Sequence, residues 1–446
     1  MSAIHDVVPG SVIDCTAARD IQVTGELRVH DGQFALIGKS LTLSGKLVAD
    51  CPQGFGPIGF AVRVVETITQ PASQGGKLTA RCGEGGGRID LEAGGAITLA
   101  GLGIDANGTA ADAAGGTVHL ASDGAVTIAA AVTADASGGA ARGGTIEIQG
   151  TTITVQAAVS VQGYGAGTLE APGGTIGLDA EDDVVIASGT GLDARTAKGS
   201  GGEIEIEAGD LVDVDSPLRA QGTSGSAGLG GTIEVVGARV AIDHDVNASG
   251  GHEGGAIAVT AHGGGITIGT GTQATELDVT GASGERGGQI TVDARGSHVL
   301  LGPRTKLLAT GDGEGGTIGV SGIDVESDAG AILKANGASP NEEGLIEVTA
   351  RGALTLAGTV EANYDGTLEF WYRTGTPAID SGITGYTLTE LTTLDAPCGD
   401  GIRLSGTEAC DGGDLGDATC ASLALGTGVL ACTAQCAFDT AGCSGS

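Results

Sequence analysis

Gly143-Gly144-Thr145-Ile146-Glu147-Ile148-Gln149-Gly150-Thr151-Thr152-Ile153-Thr154-Val155-Gln156-Ala157-Ala158-Val159-Ser160-Val161-Gln162-Gly163 decides how this chain folds. Three short segments within it alternate apolar and polar residues: Thr145 to Ile148, Thr152 to Val155 and Val159 to Gln162. Alternation at period two marks strands with one face inside and one outside. A Gly-rich stretch from Gly163 to Gly174 follows, and then the pattern restarts at Gly174-Thr175-Ile176. The glycine pair returns about every 28 residues, at Gly116, Gly144, Gly174, Gly202, Gly231, Gly255, Gly288 and Gly316, and more weakly at Gly87 and Gly344. Self-similarity at such a period signals stacked repeats rather than one globular core.

The third strand supplies a register mark: an aliphatic residue, any residue, usually Ala, then often a polar residue and Gly. It reads Ile104-Asp105-Ala106, Val132-Thr133-Ala134, Leu192-Asp193-Ala194, Leu218-Arg219-Ala220, Val246-Asn247-Ala248, Leu307-Leu308-Ala309, Leu333-Lys334-Ala335 and Val360-Glu361-Ala362. Val161 and Val279 replace the Ala in two coils, and Leu47-Val48-Ala49 and Leu78-Thr79-Ala80 carry the mark earlier. The marks predict a parallel β-helix (β-solenoid), right-handed, of about twelve coils. At a strand spacing of about 4.8 Å the rod would be roughly 55–60 Å long. Alanine suits a tight inward corner, and glycine after it permits the backbone such corners need.

Composition agrees. Of 446 residues 85 are Gly and 2% are aromatic, while mean hydropathy is +0.18. Thin coils filled by Val, Ile, Leu and Ala need few aromatic residues, and a disordered chain would be less apolar. The formal charge of −34 opposes nucleic-acid binding, which requires clustered Lys and Arg, and an anionic membrane would repel it. No apolar run is long enough for a transmembrane helix.

Residues 1–45 read as an N-terminal cap or first coil, 46–365 as the shaft, 366–397 as a C-terminal cap and linker, and 398–446 as a cysteine-rich module. Tyr364, Phe370, Trp371, Tyr372 and Tyr386 are half of all the aromatic residues, and the expectation is that Phe370, Trp371 and Tyr372 close the last coil. Six of the nine cysteines lie in the last 49 residues, an oxidised extracellular pattern. Met1 to Asp6 has neither the basic segment nor the apolar run of a signal peptide, so the expectation is that a natural signal was removed and a start Met added.

Cys51 and Cys82 follow the same mark in adjacent coils, so they should sit about 4.8 Å apart and form a disulfide, leaving Cys15 unpaired. Cys398, Cys410, Cys420, Cys432, Cys436 and Cys443 should pair among themselves as three bridges, with 15 possible pairings.

Outward carboxylates include Asp90, Glu92, Glu147, Asp179, Glu203, Glu205, Glu207 and Glu234, with Glu205 and Glu234 at equivalent sites. They read as a solvated face, a cation-binding ladder or, least of all, a catalytic pair. His244, His252 and His262 fall near Asp243, Asp245 and Glu253 without metal-ligand spacing and read as surface histidines. Asp411, Asp414 and Asp417 between Cys410 and Cys420 are either turn formers or oxygen ligands for calcium, the one cofactor the sequence suggests.

Two resemblances extend this reading. The Gly-Gly-Thr-Ile-x-Ile unit followed by Val/Leu-x-Ala-x-Gly resembles the β-helical shafts of filamentous-haemagglutinin-like adhesins, over roughly residues 75–365. It implies an exported, extended protein of attachment or surface structure. Cys398-Gly399-Asp400-Gly401, Gly406-Thr407-Glu408-Ala409-Cys410-Asp411-Gly412-Gly413, Cys420, Cys432-Thr433-Ala434-Gln435-Cys436 and Cys443 resemble the cysteine-rich repeat of secreted and surface proteins of myxobacteria and relatives. That implies an exported, disulfide-bonded module. The expectation is a non-catalytic, extracellular or cell-surface structural or adhesive protein that meets a surface glycan or matrix ligand. The alternatives are a fibre subunit that associates end to end, and a β-helix enzyme acting on polysaccharide.

Overall fold

The computed structural model describes residues 4–15, 19–51, 58–72, 76–83, 85–165, 170–223, 228–282, 286–338, 343–363, 366–373, 375–391, 409–410, 415, 418–423, 425–433 and 435–444. Its shaft is a parallel β-solenoid of three sheets. Each coil gives a corner strand of two to six residues, a long strand of up to six and a short strand of two to four. The stretch quoted at the opening gives Thr145–Gly150, Ile153–Val155 and the next corner strand, Val159–Ser160. The corner, long-strand and short-strand sheets hold 14, 15 and 14 strands, and each strand pairs with its equivalents one coil before and after.

The twelve marks all fall in the corner sheet, from Lys46–Cys51 to Thr359–Glu361. The stack is longer than the marks because the segment expected as a cap or first coil supplies two rungs. Ile4–Asp6, Val12–Asp14 and Ile21–Val23 form one, and Glu26–His30, Gln33–Gly38 and Leu41–Leu43 the next. Sequence inspection allowed at most one coil there because the glycine pair is absent and the mark appears once, in its Val form, Leu27-Arg28-Val29, whose Val29 is the register partner of Ala49. The segment expected as cap and linker likewise begins as a rung, with Thr367–Tyr372 paired to Leu345–Ala350.

Inward columns are mainly aliphatic. In the long-strand sheet Ile146, Ile176, Ile204, Ile233 and Ile290 stack in register and are fully buried. In the corner sheet Ala106, Ala134 and Ala220 are likewise fully buried. Burial of such side chains contributes about 1.5–3 kcal/mol each for Val, Leu or Ile, offset by backbone ordering. Buried polar residues serve the turns: the Ser216 hydroxyl donates to Ala187 O (2.6 Å) and the Ser327 hydroxyl to Ala357 O (2.9 Å).

The two sequence signatures meet in one hydrogen bond. The second glycine of each pair donates its N–H to the carbonyl of the marked residue in its own coil: Gly144 to Ala134, Gly174 to Val161, Gly202 to Ala194 and Gly231 to Ala220, each at 2.8 Å. This bond draws the ends of the Gly-rich loop together. The first glycine lies against the marked carbonyl of the next coil, where a side chain at Gly143, Gly173, Gly201 or Gly254 would strike backbone. Glycine is therefore required by close approach of coils, not by a left-handed backbone.

Candidate functional site

A solenoid offers its outer faces. The outward row of the long-strand sheet changes character along the axis. In the early coils its acids are paired: Arg88 with Asp90 (2.7 Å) and Arg63 with Glu92 (3.0 Å). Farther along, Glu147, Asp179, Glu203, Glu205, Glu207 and Glu234 gather on four successive rungs. Glu205 is the register partner of Glu234, as the repeat spacing requires, and Asp179 that of Glu207. Gly177 separates Glu147 from Glu205 in one column and leaves a shallow concavity of about 220 Å3 bordered by Glu147, Gln149, Asp179, Glu205 and Glu207.

The corner sheet carries a polar ladder on its outer side. Asp105, only 6% exposed, receives Lys77 (3.0 Å) and Arg81. Burial pushes its carboxyl up, but hydrogen bonds and charge from Arg81 and Lys77 outweigh that and hold it below the usual range. One coil on, Asp135 pairs with no cation among the described residues. It accepts the Ser160 hydroxyl (2.6 Å) and the Gln162 N–H (2.7 Å). Burial raises its pKa; those two bonds lower it, and the charges of Asp193 and Asp105 raise it further. Asp213 is raised too, by burial and then by Asp215 and Asp243.

Of the histidines read as surface residues, His262 is exposed and His244 and His252 are half-buried. The His244 ring accepts the Asp245 backbone N–H, the Asp243 carboxylate accepts the Gly271 N–H, and the backbone N–H of His252 donates to Gly228 O. Among the described residues no three His, Cys, Asp or Glu are grouped to hold a metal ion. Asp411, Asp414 and Asp417 lie outside the described residues, as do Tyr364 and Cys398.

Cys51 and Cys82 are register partners and are bridged, with Cα atoms 4.8 Å apart. Cys15 is free. In the C-terminal segment Cys410 is bonded to Cys432 and Cys420 to Cys443, with Cα atoms 5.8 and 5.6 Å apart, and Cys436 is also disulfide-bonded. Two two-strand antiparallel ribbons accompany them, Thr427–Gly428 with Cys443–Ser444 and Ala431–Cys432 with Phe438–Asp439.

The three aromatics divide. Phe370 is fully buried and stacks on Tyr386 at 5.1 Å; Tyr372 packs partly against the core; Trp371 is half-buried beside Thr349 and Thr389 in the outward row. What sequence inspection missed is Tyr386–Glu390, a last long strand that adds a rung to the long-strand sheet alone. Its alternation, Tyr386-Thr387-Leu388-Thr389-Glu390, was the available signal.

No family model matches the chain, and no solved structure matches it. A 49-residue stretch, 11% of the chain, is 51% identical to part of the acetylcholinesterase collagenic tail peptide of Torpedo marmorata and spans 10% of that protein. Collagen needs Gly at every third position, whereas the glycine pairs here recur once per coil. Among the described residues no helix is long and apolar enough to cross a membrane.

Proposed function

We propose that this chain is a non-catalytic, exported structural or adhesive protein of the bacterial cell surface or extracellular matrix, with the solenoid as rigid spacer and contact surface. The observation that carries the proposal is the uninterrupted three-sheet stack, whose repeats are spent on packing and on closing their own loops. A stack of 14 rungs at about 4.8 Å makes a rod of roughly 60–70 Å. Disulfides at Cys51–Cys82, Cys410–Cys432 and Cys420–Cys443 support an oxidising compartment. The resemblance of the coil unit to haemagglutinin-like shafts points the same way. The outer acidic rows suit a solvated contact face for a glycan or matrix ligand.

Antibody against the purified chain, applied to intact cells of its natural source, should label the surface or matrix, and the recovered protein should carry oxidised cysteines. Recovery in reduced form from the cytoplasm would overturn the proposal. So would turnover of a defined polysaccharide by the purified chain that a single change such as Glu205→Gln abolishes.

A further inference from the structure

Asparagine followed by glycine is the dipeptide whose side chain reacts most readily with its own backbone, because no side chain shields the glycine nitrogen. The chain has two such steps, Asn107-Gly108 and Asn336-Gly337, each directly after the Ala mark. At the first of them the fold demands both residues. Asn107 Oδ1 accepts the N–H of Asp135 one coil on (2.6 Å). Asp135 Oδ1 makes the same contact to Gln162 N (2.7 Å), and Asn336 Oδ1 makes it to Asn363 N (2.9 Å). A short side chain that ends in oxygen is therefore required at this place in the ladder. Gly108 is required by close approach: an added methyl would lie 2.4 Å from Ala113 O and 2.6 Å from Ala114 O. Packing alone thus places a reactive pair at this corner.

The next coil holds the reacting groups apart. The Gly108 nitrogen is the nucleophile, and its N–H donates to Asp135 O at 3.0 Å. The Asn107 carboxamide is the electrophile, and its oxygen is tied to Asp135 N. The Asn107 N–H donates to Asp105 Oδ1 (3.3 Å), which fixes the residue from its own coil. Gly108 is buried and Asn107 half-buried. Ring closure requires the Gly108 nitrogen to lose its proton and to turn from Asp135 O onto the Asn107 Cγ. Both bonds to Asp135 run to the main chain of one residue, so they break together when the two coils part.

We infer that Asn107 is a site of spontaneous modification, shut in the folded shaft and open once its coil parts from the next, and that its conversion bars the coil from closing again. In the reaction the Gly108 nitrogen bonds to Asn107 Cγ, and the carboxamide nitrogen leaves as ammonia with the proton that Gly108 gave up. Water then opens the imide at one carbonyl or the other. One opening gives aspartate; the other gives isoaspartate, in which the former side-chain carbonyl joins the main chain. Isoaspartate lengthens the backbone by one methylene ahead of Gly108. That displaces the Gly108 N–H from Asp135 O and shifts the loop that the Gly116 N–H closes onto Ala106 O (2.8 Å). Either product also sets a carboxylate next to Asp105 and Asp135, a like-charge contact that opposes closure. Unfolding of the shaft thereby becomes a one-way event for any chain that stays open long enough to react.

The oxidised full chain is incubated in neutral buffer, folded and in guanidinium, beside a free peptide of residues 105–109. Digestion and mass spectrometry read aspartate and isoaspartate at position 107. In guanidinium Asn107 should convert at the rate of the free peptide, and in the folded chain at least about a hundredfold more slowly. When denaturant is removed, chains with isoaspartate at 107 should be enriched at least about tenfold in the fraction that fails to refold. Asn107→Ser keeps an oxygen for the Asp135 N–H and cannot form the imide, so its refolding yield should fall more slowly with time in guanidinium than that of wild type. Conversion in the folded chain at the peptide's rate would show that the ladder does not shut the site. Equal isoaspartate at 107 in the refolded and unrefolded fractions would overturn the bar to closure, as would an Asn107→Ser yield that declines as fast as wild type. The comparison of fractions uses the unmodified sequence alone, so it decides the matter even where the Ser variant folds poorly.

Discussion

Two Gly→Ala substitutions should move stability in opposite directions. A methyl on Gly201 would lie 2.6 Å from both the Ala220 carbonyl carbon and the Gly231 amide nitrogen, and nearer still to the Ala220 oxygen. Side chains do not approach backbone this closely, so the coils must part locally. The Ala220 carbonyl then loses its bond from the Gly231 N–H, now 2.8 Å. Overpacking of this kind costs about 1–3 kcal/mol, and the lost bond about 0.5–1.5 kcal/mol, so Gly201→Ala should destabilise by about 2–4 kcal/mol. Gly177 sits on the outer row of the long-strand sheet, where an added methyl would have nothing within 4 Å, and its φ is not positive. There the same change only restricts the unfolded chain, and Gly177→Ala should stabilise by about 0.4–1 kcal/mol. Guanidinium unfolding of the oxidised protein, followed by circular dichroism, reads both as midpoint shifts at constant slope. If Gly201→Ala unfolds at the wild-type midpoint, the close approach of coils is not what selects the glycine pair.

The ladder carboxylates should respond oppositely to neutralisation. The depressed Asp105 contributes stability that is present above its unfolded value, about 3.9, and lost as pH falls through the folded value. Asp105→Asn should therefore cost about 1–3 kcal/mol at pH 7 by stranding Lys77 and Arg81. The raised Asp135 contributes stability that is complete below its unfolded value and lost as pH rises through the folded one. Asp135→Asn keeps an acceptor for Ser160 and Gln162, so its unfolding midpoint at pH 7 should equal or exceed wild type. Replacing both Cys51 and Cys82 by Ser opens a link across 31 residues and should lower stability by about 2–4 kcal/mol, measured against a wild-type unfolding curve. Phe370→Ala should cost about 3–5 kcal/mol and expose the last rungs to protease before the middle of the shaft.

Coil register was legible because the glycine pair and the Ala mark answer a contact that repeats from coil to coil between Ala80 and Gly316. Where that contact is absent the signal fails, as in the first two rungs, whose loops close without glycine pairs. Cys51 and Cys82 were readable for the same reason: equal position in the repeat means adjacency in space. The skipped corner before Tyr386 was not, since a single strand added to one sheet leaves only five alternating residues as its trace. Nor could spacing tell that Asp105 is matched by cations and Asp135 is not; Arg81 and Lys77 approach Asp105 only through lateral stacking of coils.

Loop length varies at one corner of the coil far more than at another. Between the corner and long strands the chain uses from two residues, 31–32, to fourteen, 161–174. Between the long and short strands it uses one, residue 238, to six, residues 15–20. The ladders hold their alignment through all of these. The first corner is thus a seam where segments can be lengthened or exchanged while everything around them keeps its place. Whatever is inserted there is carried at a height fixed by its coil number, so the shaft works as a ruler graduated in steps of one strand, on which features are hung at set intervals.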